Sequence, residues 1–263
     1  MLALQTMSSP SSSQKLNAEI KEKVRILCLH GYRQNADAFK SKLGSFRKHV
    51  AKYAEFVFVD APHTAPPLTE QDAVSTEQKS WWFNKDDGTF KGTNLGGPAQ
   101  GFEQSLRTVE SAWKKEGPFH GLLGFSQGAC FVGLICGLAQ KQMTLINPEF
   151  AIMSSGFISG SLVHKSAYED AINIPSLHIY GLTDAIIPKE MSIALSTHFS
   201  CAEILEHSGG HYFPATSQQK QIYIDYFRDR LVDHLENKEL NTATNALFIE
   251  PAPEEEDADE DSN

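Results

Sequence analysis

The sequence has few features of a secreted or membrane protein. It contains four cysteines among 263 residues and no Asn-x-Ser/Thr glycosylation acceptor. No apolar run approaches the roughly 20 residues that a membrane-spanning helix needs. Each cysteine falls in an apolar stretch, and no pair has the spacing of metal ligands. We therefore expect buried, reduced thiols and neither disulfides nor a metal site among them. The cysteines are Cys28, Cys130, Cys136 and Cys201.

An excess of positive charge is also absent. The formal net charge of −10 falls to −2 without the eight acidic residues among residues 250–263. A nearly neutral body offers no electrostatic basis for binding nucleic acid or a membrane surface. The first fourteen residues contain no basic residue and no long apolar segment, unlike a signal peptide. We expect a cytoplasmic protein, with the nucleus left open as a second compartment.

Composition divides the chain into three segments. Residues 1–22 are rich in Ser and Pro and then charged, and residues 237–263 are polar and then acidic. Such compositions bury too little apolar surface to fold. We predict disorder in these two segments and one domain over residues 23–236.

Apolar strand-like runs alternate with helix-like segments inside this domain. This alternation predicts an α/β fold with a doubly wound, mostly parallel sheet and helices on both faces. The predicted strands are Val24–Leu29, Glu55–Asp60, Phe119–Phe125, Phe150–Ser154, Ser176–Tyr180 and Ala202–Glu206. The predicted helices are Ala38–Tyr53, Gly97–Lys115, Ala129–Ala139, Pro188–Phe199 and Thr216–Leu235. The long stretch Pro62–Leu95 interrupts the pattern, and a loop of that length is usually functional or a lid.

A Gly-x-Ser-x-Gly motif, residues 124–128, lies between a short apolar strand and a helix of small residues. Strand, sharp turn and helix with Ser126 at the apex form the nucleophile elbow of α/β-hydrolases. The turn lifts the serine hydroxyl above the sheet edge, where it can attack a substrate. The alternative is a strand-to-helix turn without chemistry, and partner residues further along the chain distinguish the two.

Suitable partners follow in the order expected of this fold. Asp184 leaves a predicted strand through a Gly-x-x-Asp turn, and His211 follows the last strand on a Gly-Gly loop. The histidine would act as the base that activates Ser126, and the aspartate would orient the imidazole. Asp184 alone would also suit a solvated turn. The rival residues are the acids Asp170, Asp225, Asp229 and Asp233 and the base His207.

An ester carbonyl also needs two donors for the oxyanion that forms on it. We predict the backbone N–H groups of Gln127, directly after the nucleophile, and of Tyr32, in the loop that leaves the first strand. His30 is expected to shape this loop and not to act as a base.

Four segments together resemble the eukaryotic FSH-type serine hydrolases, and most of all their metazoan ovarian-cancer-associated esterase branch. They are Leu27-Cys28-Leu29-His30-Gly31-Tyr32-Arg33-Gln34-Asn35, Ser80-Trp81-Trp82-Phe83, Gly124-Phe125-Ser126-Gln127-Gly128-Ala129 and Gly209-Gly210-His211. The resemblance covers Val24–Leu235. It implies an α/β-hydrolase fold, carboxylesterase activity and a preference for long unbranched acyl or alkyl chains. Acyl-protein thioesterases share Gly-Phe-Ser-Gln-Gly but usually continue with a second Gly, where this chain has Ala129.

The aromatic segment Trp81, Trp82 and Phe83 suggests a wall of the substrate pocket. The alternative is packing in the core or under a lid, and adjacent tryptophans can point in opposite directions.

The sequence thus predicts a serine carboxylesterase that cleaves a small-molecule acyl ester through an acyl-enzyme. It needs no cofactor and no metal ion. A thioesterase with the same residues, a catalytically silent binding protein and, more remotely, a peptidase remain alternatives. The oligomeric state, the physiological substrate and the role of the acidic tail stay open.

Overall fold

Six parallel strands form the centre of the molecule. A computed structural model describes residues 22–67 and 78–247. Its strands are β1 (Val24–Leu29), β2 (Ala54–Val59), β3 (His63–Thr64), β4 (Lys79–Ser80), β5 (Gly121–Phe125), β6 (Phe150–Ser154), β7 (Ser176–Gly181) and β8 (Ala202–His207). The main sheet has the order β2-β1-β5-β6-β7-β8, and all neighbours are parallel. Strands β3 and β4 form a separate antiparallel pair. The predicted parallel α/β sheet is confirmed.

Helices cover both faces of this sheet. They are α1 (Ala36–Lys42), α2 (Gly44–Val50), α3 (Phe102–Glu116), α4 (Gln127–Gln140), α5 (Lys189–Ser196) and α6 (Ser217–Leu247), with a 3₁₀ helix at Leu162–Tyr168. Side chains alternate between the faces along each strand. Leu122 of β5 therefore packs in the cluster with α3, α4 and α5, while Leu123 packs in the cluster with α1, α2 and α6. Helix α4 is buried on all sides up to Gly137, which explains its small and apolar composition.

Two of the predicted helices have different bounds in the structure, because the local backbone conformation determines where a helix begins and ends. The segment predicted as one helix, Ala38–Tyr53, is two helices that meet at Leu43. Asn35 caps the first of them and accepts a 2.8 Å hydrogen bond from the Ala38 N–H. Helix α3 begins at Phe102 and not at Gly97, because Gly101 before it has a left-handed φ of 88°.

The predicted domain boundary at residue 236 falls inside α6. The helix continues to Leu247, so residues 237–247 are helical and not part of a disordered tail. The predictions for residues 1–21 and 248–263 lie outside the described residues. The same holds for residues 68–77 of the long stretch that was expected to be functional or a lid.

Two further sequence expectations concern cysteines and membranes. Cys28, Cys130 and Cys136 are buried as predicted, but Cys201 is exposed because it precedes the edge strand β8. Within residues 22–67 and 78–247, every helix is too short or too polar to span a bilayer.

Candidate active site

Ser126 occupies a strained turn between β5 and α4. Its backbone has φ 54° and ψ −116°, a conformation that costs an ordinary residue about 1–3 kcal/mol. The flanking glycines permit the turn because a Cβ atom at Gly124 would lie 2.3 Å from the Gly128 carbonyl oxygen. A Cβ atom at Gly128 would lie 2.1 Å from the carbonyl oxygen of Leu29. The motif spacing therefore reflects close contact between β5, α4 and β1.

The fold brings Ser126, His211 and Asp184 into one hydrogen-bonded chain. His211 Nε2 lies 3.0 Å from Ser126 Oγ, and His211 Nδ1 lies 2.7 Å from Asp184 Oδ2. Since the ionised carboxylate can only accept, Nδ1 carries the imidazole hydrogen and Nε2 is free to accept the serine hydrogen. The His211 side chain is 19% exposed, whereas that of Asp184 is fully buried.

The Asp184 carboxylate is saturated with donors. Its Oδ1 accepts the N–H groups of Ile186 and Ile187, both at 2.9 Å. Its Oδ2 accepts the Ser155 hydroxyl at 3.0 Å in addition to His211. These four contacts hold the carboxylate in one orientation. Asp184 is therefore a buried, oriented group and not a solvated turn residue.

Ser155 is a site residue that the sequence interpretation missed. It follows β6, the strand between β5 and β7, and its backbone has a φ of 49°. Its N–H donates to the Ile179 carbonyl at 2.7 Å. The available signal was its position directly after a buried strand, at the sheet edge where Ser126 and Asp184 also lie.

The rival acids and the rival base have other partners. Asp170 lies 3.2 Å from Lys141, and the three acids on α6 pair with Arg228 or Arg230. His207 Nδ1 accepts a backbone N–H at 3.2 Å, and burial lowers the pKa of this histidine.

The two predicted oxyanion donors are available for a ligand. Among the described residues, neither the Tyr32 N–H nor the Gln127 N–H donates to a protein acceptor. Gln127 is the first residue of α4, where an N–H has no partner within the helix. The Tyr32 loop passes over the serine, since a Cβ atom at Gly31 would lie 3.4 Å from Ser126 Cβ.

His30 holds the peptide that carries the Tyr32 N–H. Its Nε2 accepts the Ala61 N–H at 3.1 Å, so Nδ1 carries the hydrogen and donates to the Gly31 carbonyl at 2.8 Å. The Gln34 N–H donates to the same carbonyl at 3.1 Å. In a trans peptide the C=O and N–H point in opposite directions, so these bonds direct the Tyr32 N–H away from His30. Burial lowers the pKa of His30 to about 4 and keeps it neutral.

Trp81 connects His30, in the loop that carries Tyr32, with Gln127. Its indole Nε1 donates to the His30 carbonyl at 2.8 Å, and its backbone N–H donates to Gln127 Oε1 at 3.0 Å. Gln127 Nε2 in turn donates to the Trp82 carbonyl at 2.8 Å. Through these hydrogen bonds, Trp81 and Trp82 connect the loop after β1 with the start of α4.

The positions of Trp81 and Trp82 favour packing in the core over the predicted role in the wall of the substrate pocket. Trp81 and Trp82 are fully buried, and both rings pack against Phe131 of α4. Phe83 is half-buried and pairs with Gln100 through two backbone hydrogen bonds.

One group of side chains has the composition of a metal site. Candidate ligand atoms of His120, Glu149 and His234 lie within 4.8 Å of one another. The Arg25 N–H donates to His120 Nδ1 at 2.8 Å, which leaves a neutral His120 with its hydrogen on Nε2 and no lone pair for a metal ion. His234 Nδ1 lies 2.9 Å from the Glu149 carboxylate. We interpret the group as a hydrogen-bonded surface cluster, at the opposite end of β5 from Ser126.

Comparison with known families identifies the family of this chain. The sequence profile of the serine hydrolase (FSH1) family matches residues 19–223. The chain belongs to the FSH1 serine hydrolase family. As an FSH1 member the protein is a serine hydrolase, as the sequence predicted.

Relatives within the FSH1 family are named esterases. Esterase CG5412 of Drosophila melanogaster is 66% identical over 246 residues, which cover 94% of this chain and 88% of the relative. Esterase OVCA2 of Homo sapiens is 36% identical over 215 residues, which cover 77% of this chain and 95% of the relative. The predicted FSH-type resemblance is confirmed.

Solved structures confirm the α/β-hydrolase fold of this FSH1 member. Acyl-protein thioesterase 2 from Zea mays has a TM-score of 0.59 at 18% identity, covering 80% of this chain and 94% of that structure. Esterase PE8 has a TM-score of 0.55 at 21% identity, covering 79% and 92%. At these identities the similarity concerns the fold alone.

Proposed function

We propose that the protein is a carboxylesterase that uses Ser126, His211 and Asp184 as a catalytic triad. The observation that carries this proposal is the continuous chain of hydrogen bonds from Ser126 Oγ through the imidazole to a buried carboxylate. The esterase names of its relatives point to the same class of reaction.

The first half-reaction forms an acyl-enzyme. Ser126 Oγ attacks the ester carbonyl while His211 Nε2 takes its proton. The carbonyl oxygen becomes an oxyanion and accepts the N–H groups of Tyr32 and Gln127. The C–O bond to the alcohol then breaks, and His211 gives its proton to the leaving oxygen. Each oxyanion donor contributes about 3 kcal/mol to lowering the barrier.

The second half-reaction repeats these roles with water. His211 takes a proton from water, the hydroxide attacks the acyl carbon, and Ser126 leaves with the proton from His211. Asp184 keeps the imidazole in the correct tautomer and stabilises its cationic form in both halves.

Exposed apolar side chains next to the triad support an acyl substrate. Leu182 and Ile186 flank Asp184 and are 42% and 61% exposed. Apolar surface of this kind beside a reaction centre suits an alkyl chain. The preference for long unbranched chains, implied by the family resemblance, is part of the proposal.

A chain-length series of p-nitrophenyl esters tests this function. We expect kcat/KM to rise with acyl length in the wild type and activity to vanish in Ser126→Ala, with circular dichroism showing that both proteins are folded. Matched thioesters measure the thioesterase alternative, which a large thioester preference would establish. A folded wild type that neither cleaves esters nor reacts with a fluorophosphonate would contradict the proposal and favour a silent binding protein.

The proposal includes the cytoplasmic location and the metal-free, cofactor-free chemistry predicted from the sequence. Cell fractionation tests the location. Activity of dialysed protein in the presence of a chelator tests the chemistry.

A further inference from the structure

A cavity of about 260 Å³ lies beside His211. Helix α1, the residue before the nucleophile and the loop after β8 form its walls. The lining residues are Phe39, Lys42, Phe125, His211, Tyr212 and Phe213. Neither Tyr32 nor Gln127, which hold the carbonyl oxygen in the proposed mechanism, lines this cavity.

Phe125 places this cavity next to the reaction centre. Its ring centroid lies 4.9 Å from that of His211. The space above Gly31 is bounded by both Phe125 and Ser126, because a Cβ atom there would lie 3.1 Å from the Phe125 ring and 3.4 Å from Ser126 Cβ. The cavity therefore shares two walls, Phe125 and His211, with the reaction centre.

The geometry of acyl transfer assigns the two sides of the site. Tyr32 and Gln127 hold the carbonyl oxygen, on the β1 side of Ser126. His211 must lie within hydrogen-bond distance of the leaving oxygen to protonate it. The group attached to that oxygen therefore lies on the His211 side, where the cavity is.

The residues that line the cavity indicate the size and the chemical class of the leaving group. Phe39 and Phe125 are buried and Phe213 is half-buried, so most of the wall is aromatic. At about 30 Å³ for each water-sized group, the cavity holds about eight or nine non-hydrogen atoms, the size of one substituted ring. A bulky leaving group such as a protein chain would have to extend beyond it.

Lys42 adds a positive charge to the lining. It is the last residue of α1 and its side chain is exposed. No carboxylate among the described residues forms an ion pair with it. An anionic group on a ligand in the cavity would thus find a cation that no described carboxylate neutralises.

We propose that this cavity binds the leaving group of the substrate, and that this group is aromatic and carries an anionic substituent that pairs with Lys42. The inference rests on the proposed esterase function and specifies its substrate class: acyl esters of small anionic phenols.

Two esters with a common acyl group test this assignment. One leaving phenol carries a carboxylate and the other a neutral N-methylamide, with further substituents chosen so that the two phenols have equal pKa values. Both esters form the same acyl-enzyme, so their deacylation rates are identical. The ratio of their kcat/KM values then reports only binding and acylation.

We expect the wild type to favour the anionic ester by about fivefold, as suits one partly exposed ion pair. Lys42→Ala should bring the ratio to about one, Lys42→Glu should reverse it, and Lys42→Arg should keep it. High salt should reduce the wild-type ratio. Lys40→Ala is the matched control on the same helix, because Lys40 is exposed and does not line the cavity; its ratio should equal that of the wild type.

A wild-type ratio of one would overturn the inference while leaving the esterase function intact. A preference that survives in Lys42→Ala would do the same. If the folded wild type cleaves neither ester nor any p-nitrophenyl ester, the proposed function and this inference fail together.

Discussion

The indole nitrogen of Trp81 donates a 2.8 Å hydrogen bond to the carbonyl oxygen of His30, directly before the glycine whose peptide carries the Tyr32 N–H. The backbone of the same tryptophan donates to the Gln127 side chain. One buried residue therefore links the loop after β1, which carries the Tyr32 N–H, to Gln127 at the start of α4. If these two N–H groups bind an oxyanion as proposed, loss of this link should lower kcat.

Trp81→Phe removes the indole N–H but keeps an aromatic ring. We expect kcat to fall about tenfold, since losing one buried hydrogen bond costs about 1–2 kcal/mol, while KM changes little. Steady-state kinetics on a p-nitrophenyl ester measures both values. Trp113→Phe is the control, because Trp113 packs on α3 against Phe119, away from the site. Equal kcat values for the two variants would argue that Trp81 only fills space.

Ser155→Ala removes one donor to the Asp184 carboxylate. Hydrogen bonds to charged groups contribute about 1.5–3 kcal/mol, so we expect a fall in kcat of at least about tenfold and a changed pH–rate profile. Ser155→Gly should behave alike, which separates the lost hydroxyl from backbone strain at the positive φ. The neighbouring Ser154 hydroxyl is buried without a partner among the described residues, so Ser154→Ala should retain activity. Full activity in both Ser155 variants would remove this residue from the site.

Acid should destabilise the protein through buried neutral histidines. Burial lowers the pKa of His30 and His164 to about 4 and that of His178 to about 3, from an ordinary value of 6.5. As the pH falls below 6.5, the unfolded chain binds protons that the folded protein does not, so the free energy of unfolding decreases down to about pH 4. Each group contributes about 1.4 kcal/mol per pH unit.

Urea denaturation at pH 7 and pH 5 checks this effect. We expect the free energy of unfolding to fall by several kcal/mol, on the order of 6. His178→Gln, which removes one of the three groups, should show a smaller fall. Equal stability at the two pH values would mean that these side chains are hydrated or charged in the folded protein.

Removal of residues 248–263 should leave esterase activity unchanged, because the residues of the site and of the cavity beside it all lie between His30 and Phe213. Removal of residues 237–263 also deletes the end of α6 and the 2.7 Å ion pair between Lys238 and Glu22. That pair is exposed and screened by solvent, so the midpoint of thermal unfolding should shift by only a few degrees. A loss of activity on the shorter deletion would assign the acidic segment a direct role.

Much of the fold was predictable because strands buried in a parallel sheet are short, nearly continuous apolar runs. Val24–Leu29 and Phe150–Ser154 match their predicted bounds residue for residue, since both are apolar runs covered on two faces. The break at Leu43 was not predictable from periodicity, because the apolar spacing of Phe39, Leu43 and Phe46 continues across it.

The site was predictable only in part. Motif order identified Ser126, Asp184 and His211 as candidates, and the fold brings these three together. The connection through Trp81 depends on where an indole lies relative to residues about 50 positions away, which no local pattern reports. Ser155 escaped notice for the same reason: its contact with Asp184 follows from the neighbouring positions of β6 and β7 in the sheet.

The uneven exposure of the cysteines has a practical consequence. Cys28, Cys130 and Cys136 are buried, and burial raises the pKa of each thiol, so none offers a reactive thiolate to solvent. Cys201 at the start of the edge strand reacts without any opening of the fold. A thiol reagent should therefore modify the native protein once and quickly, and then three more times at the rate at which the molecule opens. Cys201 is thus a site for labelling the native protein, and the modification rate of the three buried cysteines reports how fast it unfolds.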